Sequence, residues 1–255
     1  MGAARVLSDR IAGLAERVQV HRWYVGQQRA AQHLLTTYGD VVAGGPFSGM
    51  RYPVPPEHDL CLGAKLLGHY EAELHTVVEG LAAGPWDTIV DVGCAGGYYT
   101  TGFALRCPGA QVYGYDLNAA LQEQARASAA VNGVGERVHI GSECTHAELR
   151  RLCGPRTLLI LDVEGAEDEL ADPAAVPELA ATTMLIEVHD FARAQVSSRL
   201  LARFASTHRE HVIYASAGNG ASLPEAAAVP RNVRRWVLDE ARPAGMRWFV
   251  FSPTS

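Results

Sequence analysis

From Thr88 to the end of the chain, short runs of apolar and β-branched residues alternate with stretches in which apolar residues recur every three or four positions. The first pattern predicts strands and the second helices. Strands are expected near 87–92, 111–116, 137–141, 157–163, 183–189, 211–216 and 247–252, and helices near 97–107, 119–132, 146–153, 191–206 and 231–241. Such alternation builds an α/β fold, a mostly parallel, Rossmann-like sheet of seven strands covered on both faces. RWFVFS supplies its last strand as part of a hairpin.

Before Thr88 the pattern is different. Over residues 5–37, Ile11, Leu14, Val18, Ala30, His33 and Leu34 fall at helical intervals, Ser8 with Asp9 can cap the first turn, and Gly39 can end the last. This predicts an accessory helical element outside the core, which either covers the active site or pairs two copies as a homodimer. The Gly- and Pro-rich stretch from Ala43 to His58 is too irregular for a regular element, so it is either a lid or substrate edge or an ordered connector. CLGAKLLGHYEAELHTVVEGL then predicts one helix, with Leu66, Tyr70, Leu74 and Val78 in a stripe and Lys65, Glu71 and His75 on other faces. The expected organisation is an N-terminal helical extension with a lid-like loop over 1–60, followed by one ligand-binding catalytic domain over 61–255.

The stretch Thr88 to Thr101, TIVDVGCAGGYYTT, reads as a strand, a tight turn and a helix start. Glycine allows positive φ and carries no Cβ, so a nucleoside-bearing ligand can approach the peptide planes of the turn. The first turn of the helix offers free N–H groups to a carboxylate. No GxGxxG run is present, which argues against a dinucleotide. Instead Asp91 closes the strand, and the next strand ends at Asp116 and Leu117, placing Asp116 to accept from ribose hydroxyls.

DVGCAGGYYT followed by YGYDLN resembles motif I and the ribose-binding acid of class I S-adenosylmethionine (SAM) methyltransferases, with Ala95 where many members have glycine. The resemblance implies SAM as cofactor, held by Asp91, Gly93, Ala95, Gly97, Tyr98, Asp116 and Leu117. Ser142 or Glu143, after the third strand, would meet the adenine edge, and Tyr70 or Glu71 would approach from the helix before the turn.

Two further strands run straight into acidic groups. TLLILDVEGAEDEL ends in Asp162, with Glu164, Glu167 and Asp168 beyond, and TMLIEVHDF ends in Glu187, His189 and Asp190. Strand side chains alternate, so Glu187 and His189 share a face and can converge with Asp162 beside the cofactor. LDVEGAE and IEVHD, taken with DVGCAGGYYT, resemble the FkbM-type methyltransferases over roughly Lys65 to Asp190. That resemblance implies transfer of a methyl group to oxygen on a sugar, polyketide or other natural-product hydroxyl.

A hydroxyl acceptor must lose its proton, and His189, titrating near neutrality, suits the task of base, with Asp162 or Glu187 orienting the ring. A second reading has Asp162, Glu187 and His189 binding a divalent metal that lowers the acceptor pKa. The same cofactor pocket also admits N-methylation, or transfer or cyclisation of the aminocarboxypropyl arm with release of methylthioadenosine. A catalytically silent SAM-fold binding module is the non-enzyme alternative, disfavoured by the density of acids at the strand ends.

Composition narrows the partners. The 255 residues carry a net charge of −6 and no long basic run, so a nucleic-acid backbone is not the expected partner, and a small-molecule substrate is. Five cysteines without CxxC spacing read as reduced thiols, and no apolar run or signal-type segment suggests a membrane, so the expected location is cytoplasmic.

Overall fold

The protein is described by a computed structural model covering residues 2–215, 229–240, 242 and 245–254, with side chains from residue 20 onward. Seven strands form one sheet: β1 (Thr88–Val92), β2 (Gln111–Tyr115), β3 (Val138–Gly141), β4 (Thr157–Leu161), β5 (Thr183–Val188), β6 (His208–Tyr214) and β7 (Arg247–Pro253). Their order is β3-β2-β1-β4-β5-β7-β6. The first five pair in parallel, while β7 is antiparallel to both β5 and β6. This is the Rossmann-like class I methyltransferase fold, hairpin included.

The helices follow the expected alternation: α4 (Tyr98–Arg106), α5 (Ala119–Val131), α6 (His146–Leu152), α7 (Glu167–Leu170), α8 (Val196–Phe204) and α9 (Arg231–Val237) come after the turn motif. Asn118 caps α5, its Oδ1 accepting from the N–H of Ala120 at 2.9 Å. β4 is buried along its whole length, as its unbroken apolar run requires in the middle of a two-faced sheet. Strand six begins at His208, three residues before the expected start; His208 is buried, its Nε2 2.9 Å from the carbonyl of Thr182. Helix α8 begins at Val196 because the residues after β5 make a turn, with the N–H groups of Ala192 and Arg193 both donating to the carbonyl of His189.

The N-terminal part departs most from expectation. Helix α1 (Gly2–Tyr38) is long and ends at Gly39, but it is not outside the core. Ala30, Ala31 and Leu34 belong to the same buried cluster as Ile89, Phe103 and Leu158, and Gln27 donates to the carbonyls of Trp236 and Asp239 around α9. The stretch 43–58 is an ordered connector. Phe47, Met50, Tyr52 and Val54 are buried, Val41 bridges Arg51, and the side chain of Asn132 holds both backbone groups of Arg51. Residues on both sides of position 60 thus pack into one apolar cluster.

The single helix expected over 61–81 is broken. Gly68 takes a left-handed conformation at the end of α2 (Leu62–Leu67), Glu71 has φ 50°, and α3 (His75–Ala82) starts afresh after a short 3₁₀ turn. The break turns Glu71 inward, and Lys65 lies within the wholly buried α2, so both are buried rather than on an outer face. Residues 217–228 of the irregular segment before α9, expected to shape the substrate pocket, lie outside the described residues. Among the described residues no helix is long and apolar enough to cross a membrane.

Candidate active site

The turn after β1 is built from backbone pairing before any side chain is considered. The N–H groups of Gly93 and Cys94 both donate to the carbonyl of Tyr115, and that of Asp162 donates to Val92, tying the carboxyl ends of β1, β2 and β4 together. Gly93 has φ +89°, and a Cβ there would lie 1.7 Å from the carbonyl oxygen of Asp162, so only glycine fits. Ala95, the departure from the usual glycine, is held at φ +45°. Its N–H donates to Asp116 Oδ2 at 2.9 Å, and Asp116 Oδ1 accepts from Asn118 N–H at 2.8 Å. Asp116 is therefore already engaged in shaping the turn, with its remaining lone pairs toward the cleft it lines. Gly97 sits elsewhere: it precedes α4 at φ +82°, and a Cβ would press on Ala125 of α5 at 3.0 Å, so its role is helix packing.

Two cavities meet at Gly93. The outer is an open cleft of about 620 Å³ whose wall includes Tyr115, Asp116, Leu117, Ser142, Glu143 and Glu164. Leu117 is 81% exposed there. The inner is a small cavity of about 50 Å³, lined by Lys65, Tyr70, Glu71, Asp91, Ala95, Tyr98, Asp162 and Glu187 among others. Tyr70 and Tyr98 face each other edge to face, and the buried hydroxyl of Tyr98 has no hydrogen-bond partner.

The inner cavity has an excess of carboxylates. Lys65 is consumed by Asp59, whose Oδ2 it meets at 2.7 Å and which also accepts from the hydroxyl of Tyr52 at 2.9 Å. Arg242, between α9 and β7, donates to Glu71 and Glu187 at 2.6 Å each and to Glu240 at 2.8 Å, and lies over the rings of Tyr70 and Trp248. Tyr99 adds a hydrogen bond to the second oxygen of Glu71. One guanidinium thus serves three acids, and among the described residues no lysine or arginine pairs with Asp91 or Asp162.

Titration follows from that imbalance. Burial pushes the Asp91 carboxyl up to about 7, even though the hydroxyl of Thr100 donates to it at 2.5 Å. Burial, then the neighbouring charge of Asp162, pushes Glu187 well above the usual carboxylate range. Asp162 is raised to about 6 by desolvation and Glu71, and it accepts the proton that Glu187 shares with it.

His189 lies just past β5, 1% exposed. Its Nδ1 pairs with the fully buried carboxylate of Glu167, and its Nε2 lies 3.6 Å from both Asp162 Oδ1 and Glu164 Oε2. Burial works to lower the imidazole pKa, but Glu167, Asp162 and Glu164 together outweigh it and the net shift is upward. The ring is oriented by Glu167, whereas the sequence expectation gives that task to Asp162 or Glu187. Glu187 stands apart from the imidazole, on the far side of Asp162 with Arg242. Sequence reasoning also missed Arg242, Glu240 and the Lys65–Asp59 pair. None stands at a strand end or in a motif; only the rarity of buried charge, visible after folding, marks them.

No protein-family model matches the chain, and no curated protein sequence matches it. Solved structures resemble it in fold. An O-methyltransferase from Bacillus cereus in complex with SAH superposes over 78% of this chain and 83% of its own, with a TM-score of 0.50 and 12% identity. An O-methyltransferase from Streptomyces achromogenes involved in tomaymycin synthesis, in complex with SAM, covers 73% and 81% at a TM-score of 0.49 and 11% identity. A further O-methyltransferase, from Klebsiella pneumoniae, covers 72% and 80% at 0.49 and 13%. At these identities the likeness is one of architecture.

Proposed function

We propose that the protein is a SAM-dependent O-methyltransferase acting on a small-molecule hydroxyl, in the manner of the FkbM-type enzymes that its DVGCAGGYYT, LDVEGAE and IEVHD motifs resemble, in natural-product or sugar modification. The observation that carries this reading is the pair of cavities joined at Gly93, one wide and suited to a nucleoside, the other small and richer in acids than in cations.

The residues fit SAM on those grounds. Asp116 and Leu117 offer a carboxylate for ribose hydroxyls and an exposed apolar face for the base, with Ser142 and Glu143 at the base edge. The carboxyls of Asp91 and Asp162, which have no lysine or arginine partner among the described residues, suit a ligand bearing an ammonium and a sulfonium, and the orphan hydroxyl of Tyr98 suits its carboxylate. Bound there, the cofactor would supply an electrophilic methyl to the acceptor oxygen and depart as SAH, the hydroxyl proton passing to a base or to solvent.

The chain's own work is alignment and proton handling. The backbone of Gly93 leaves room for close approach, the buried aromatic wall excludes water, and Asp162, Glu164 and His189 present lone pairs where an acceptor would arrive. Mass spectrometry of the products formed from SAM and a fractionated metabolite pool tests the reading. SAH with an acceptor heavier by one methylene supports it; methylthioadenosine as the main product replaces it with transfer of the other arm; no turnover with SAM bound points to a silent binding module.

A further inference from the structure

We infer that Asp162, Glu164 and His189 form a binding site for a divalent first-row cation such as Mn²⁺, with Glu167 as the positioning residue. This set differs from the Asp162, Glu187 and His189 grouping suggested by strand alternation, because Glu187 is turned away to Arg242.

Three donor atoms converge: one imidazole nitrogen and two carboxylate oxygens, all within 4.8 Å of one another. With Nδ1–H donating to Glu167, the outward Nε2 offers a lone pair to a metal ion once the proton it holds is displaced. That nitrogen is buried, has no hydrogen-bond partner, and lies 3.6 Å from each of two carboxylate oxygens. The distance is too long for a hydrogen bond. It is close to the separation of roughly 3–3.5 Å expected of ligands that share a metal at about 2.1 Å from each. A buried lone pair directed between two anionic oxygens is satisfied by a cation.

The surrounding residues hold the geometry. Glu167 Oε1 accepts from the N–H of Gly165 at 2.9 Å as well as pairing with His189 Nδ1, so one carboxylate clips the turn bearing Glu164 to the imidazole. A carboxylate on the far nitrogen fixes the tautomer and ring direction of a metal-binding histidine. Mixed nitrogen and carboxylate donors suit Mn²⁺ or Zn²⁺ better than Mg²⁺ or Ca²⁺. Glu164 is largely exposed, which leaves a side for water or an acceptor hydroxyl.

In methyl transfer, a use that rests on the preceding proposal, the cation would hold the acceptor oxygen and lower its pKa, the proton passing to solvent. His189 would then be a ligand rather than the base. The site itself does not depend on that use.

The test is an electron paramagnetic resonance titration of the full chain with Mn²⁺ alone, SAM affinity being measured separately by calorimetry. Expected are one bound Mn²⁺ per chain and at least a tenfold weaker affinity in Asp162→Asn and His189→Ala. Glu167→Gln should weaken it tenfold or more while leaving one ion bound, with Zn²⁺ competing for the same site. Glu164→Gln, at an exposed side chain, guards against misfolding and should also weaken binding, whereas Glu136→Gln should not. No stoichiometric Mn²⁺ binding, or binding indifferent to Glu164 and His189, overturns the site and leaves the methyltransferase reading standing. Mn²⁺ binding without SAH formation keeps the site and removes methyl transfer.

Discussion

The wide cleft and the small acidic cavity meet at one glycine but are built on opposite principles. In the cleft, Asp116 is satisfied by two backbone N–H groups and Leu117 stands in solvent, so its wall is complete without a ligand. In the cavity, acids outnumber the cations that face them, and carboxyls are forced toward their neutral forms. The cleft is shaped for recognition at little cost to folding, while the cavity holds destabilised charge that a cationic ligand would relieve.

The sharpest break of this contrast is Arg242→Ala. It leaves Glu71, Glu187 and Glu240 without their shared guanidinium, and removing one partner of a buried ion cluster costs about 3–5 kcal/mol. Urea denaturation should show that loss; a shift below about 1 kcal/mol would mean that the cluster is not a buried unit.

Asp91→Asn should act in the opposite sense. Asp91 titrates near 7 when folded and near 4 when unfolded, so between those values the folded protein holds the extra proton. Its contribution is fully favourable below pH 4, falls as pH rises through 7, and is constant beyond. The substitution keeps an acceptor for Thr100 and removes the penalty, so the ligand-free protein should gain roughly 2–4 kcal/mol at pH 8 and nothing at pH 4. Equal stability of the two proteins at pH 8 would place Asp91 in a solvated setting.

These two residues also show what the sequence could disclose. The strands, their order of appearance and the acids at the ends of β1, β2, β4 and β5 were legible, because a strand's apolar run ends where its ligand face begins. The cavity's other half was not. Glu71 reads as an outer-face residue until Gly68 breaks the helix and turns it inward, and Arg242 lies in a segment with no periodicity at all. In the sequence Glu167 is one acid among several, since the fold alone decides which of them reaches His189 Nδ1. Helix α1 misled in a related way: its C-terminal half packs on α9 and α2, partners far along the chain.

On the cleft side the effects should be on binding. Asp116→Ala removes the carboxylate from the proposed ribose contact and should weaken SAM binding by roughly 2 kcal/mol, about thirtyfold, by calorimetry. Unchanged affinity would remove Asp116 from the cofactor site and leave it as a brace for Ala95.

The smallest effect isolates recognition from folding most cleanly. Leu117 is 81% exposed, so Leu117→Ala takes almost no buried area from the ligand-free protein, and its unfolding free energy should change by less than about 0.5 kcal/mol. If the base lies on it, the same substitution forfeits apolar burial on binding of about 1 kcal/mol, roughly a fivefold loss of SAM affinity. A leucine held in solvent next to Asp116 contributes nothing to the folded chain by itself, and only a ligand that covers it can make its loss measurable. A fivefold loss with unchanged stability would put the base in the cleft, whereas unchanged affinity would move the base off that wall while leaving the acidic cavity as it stands.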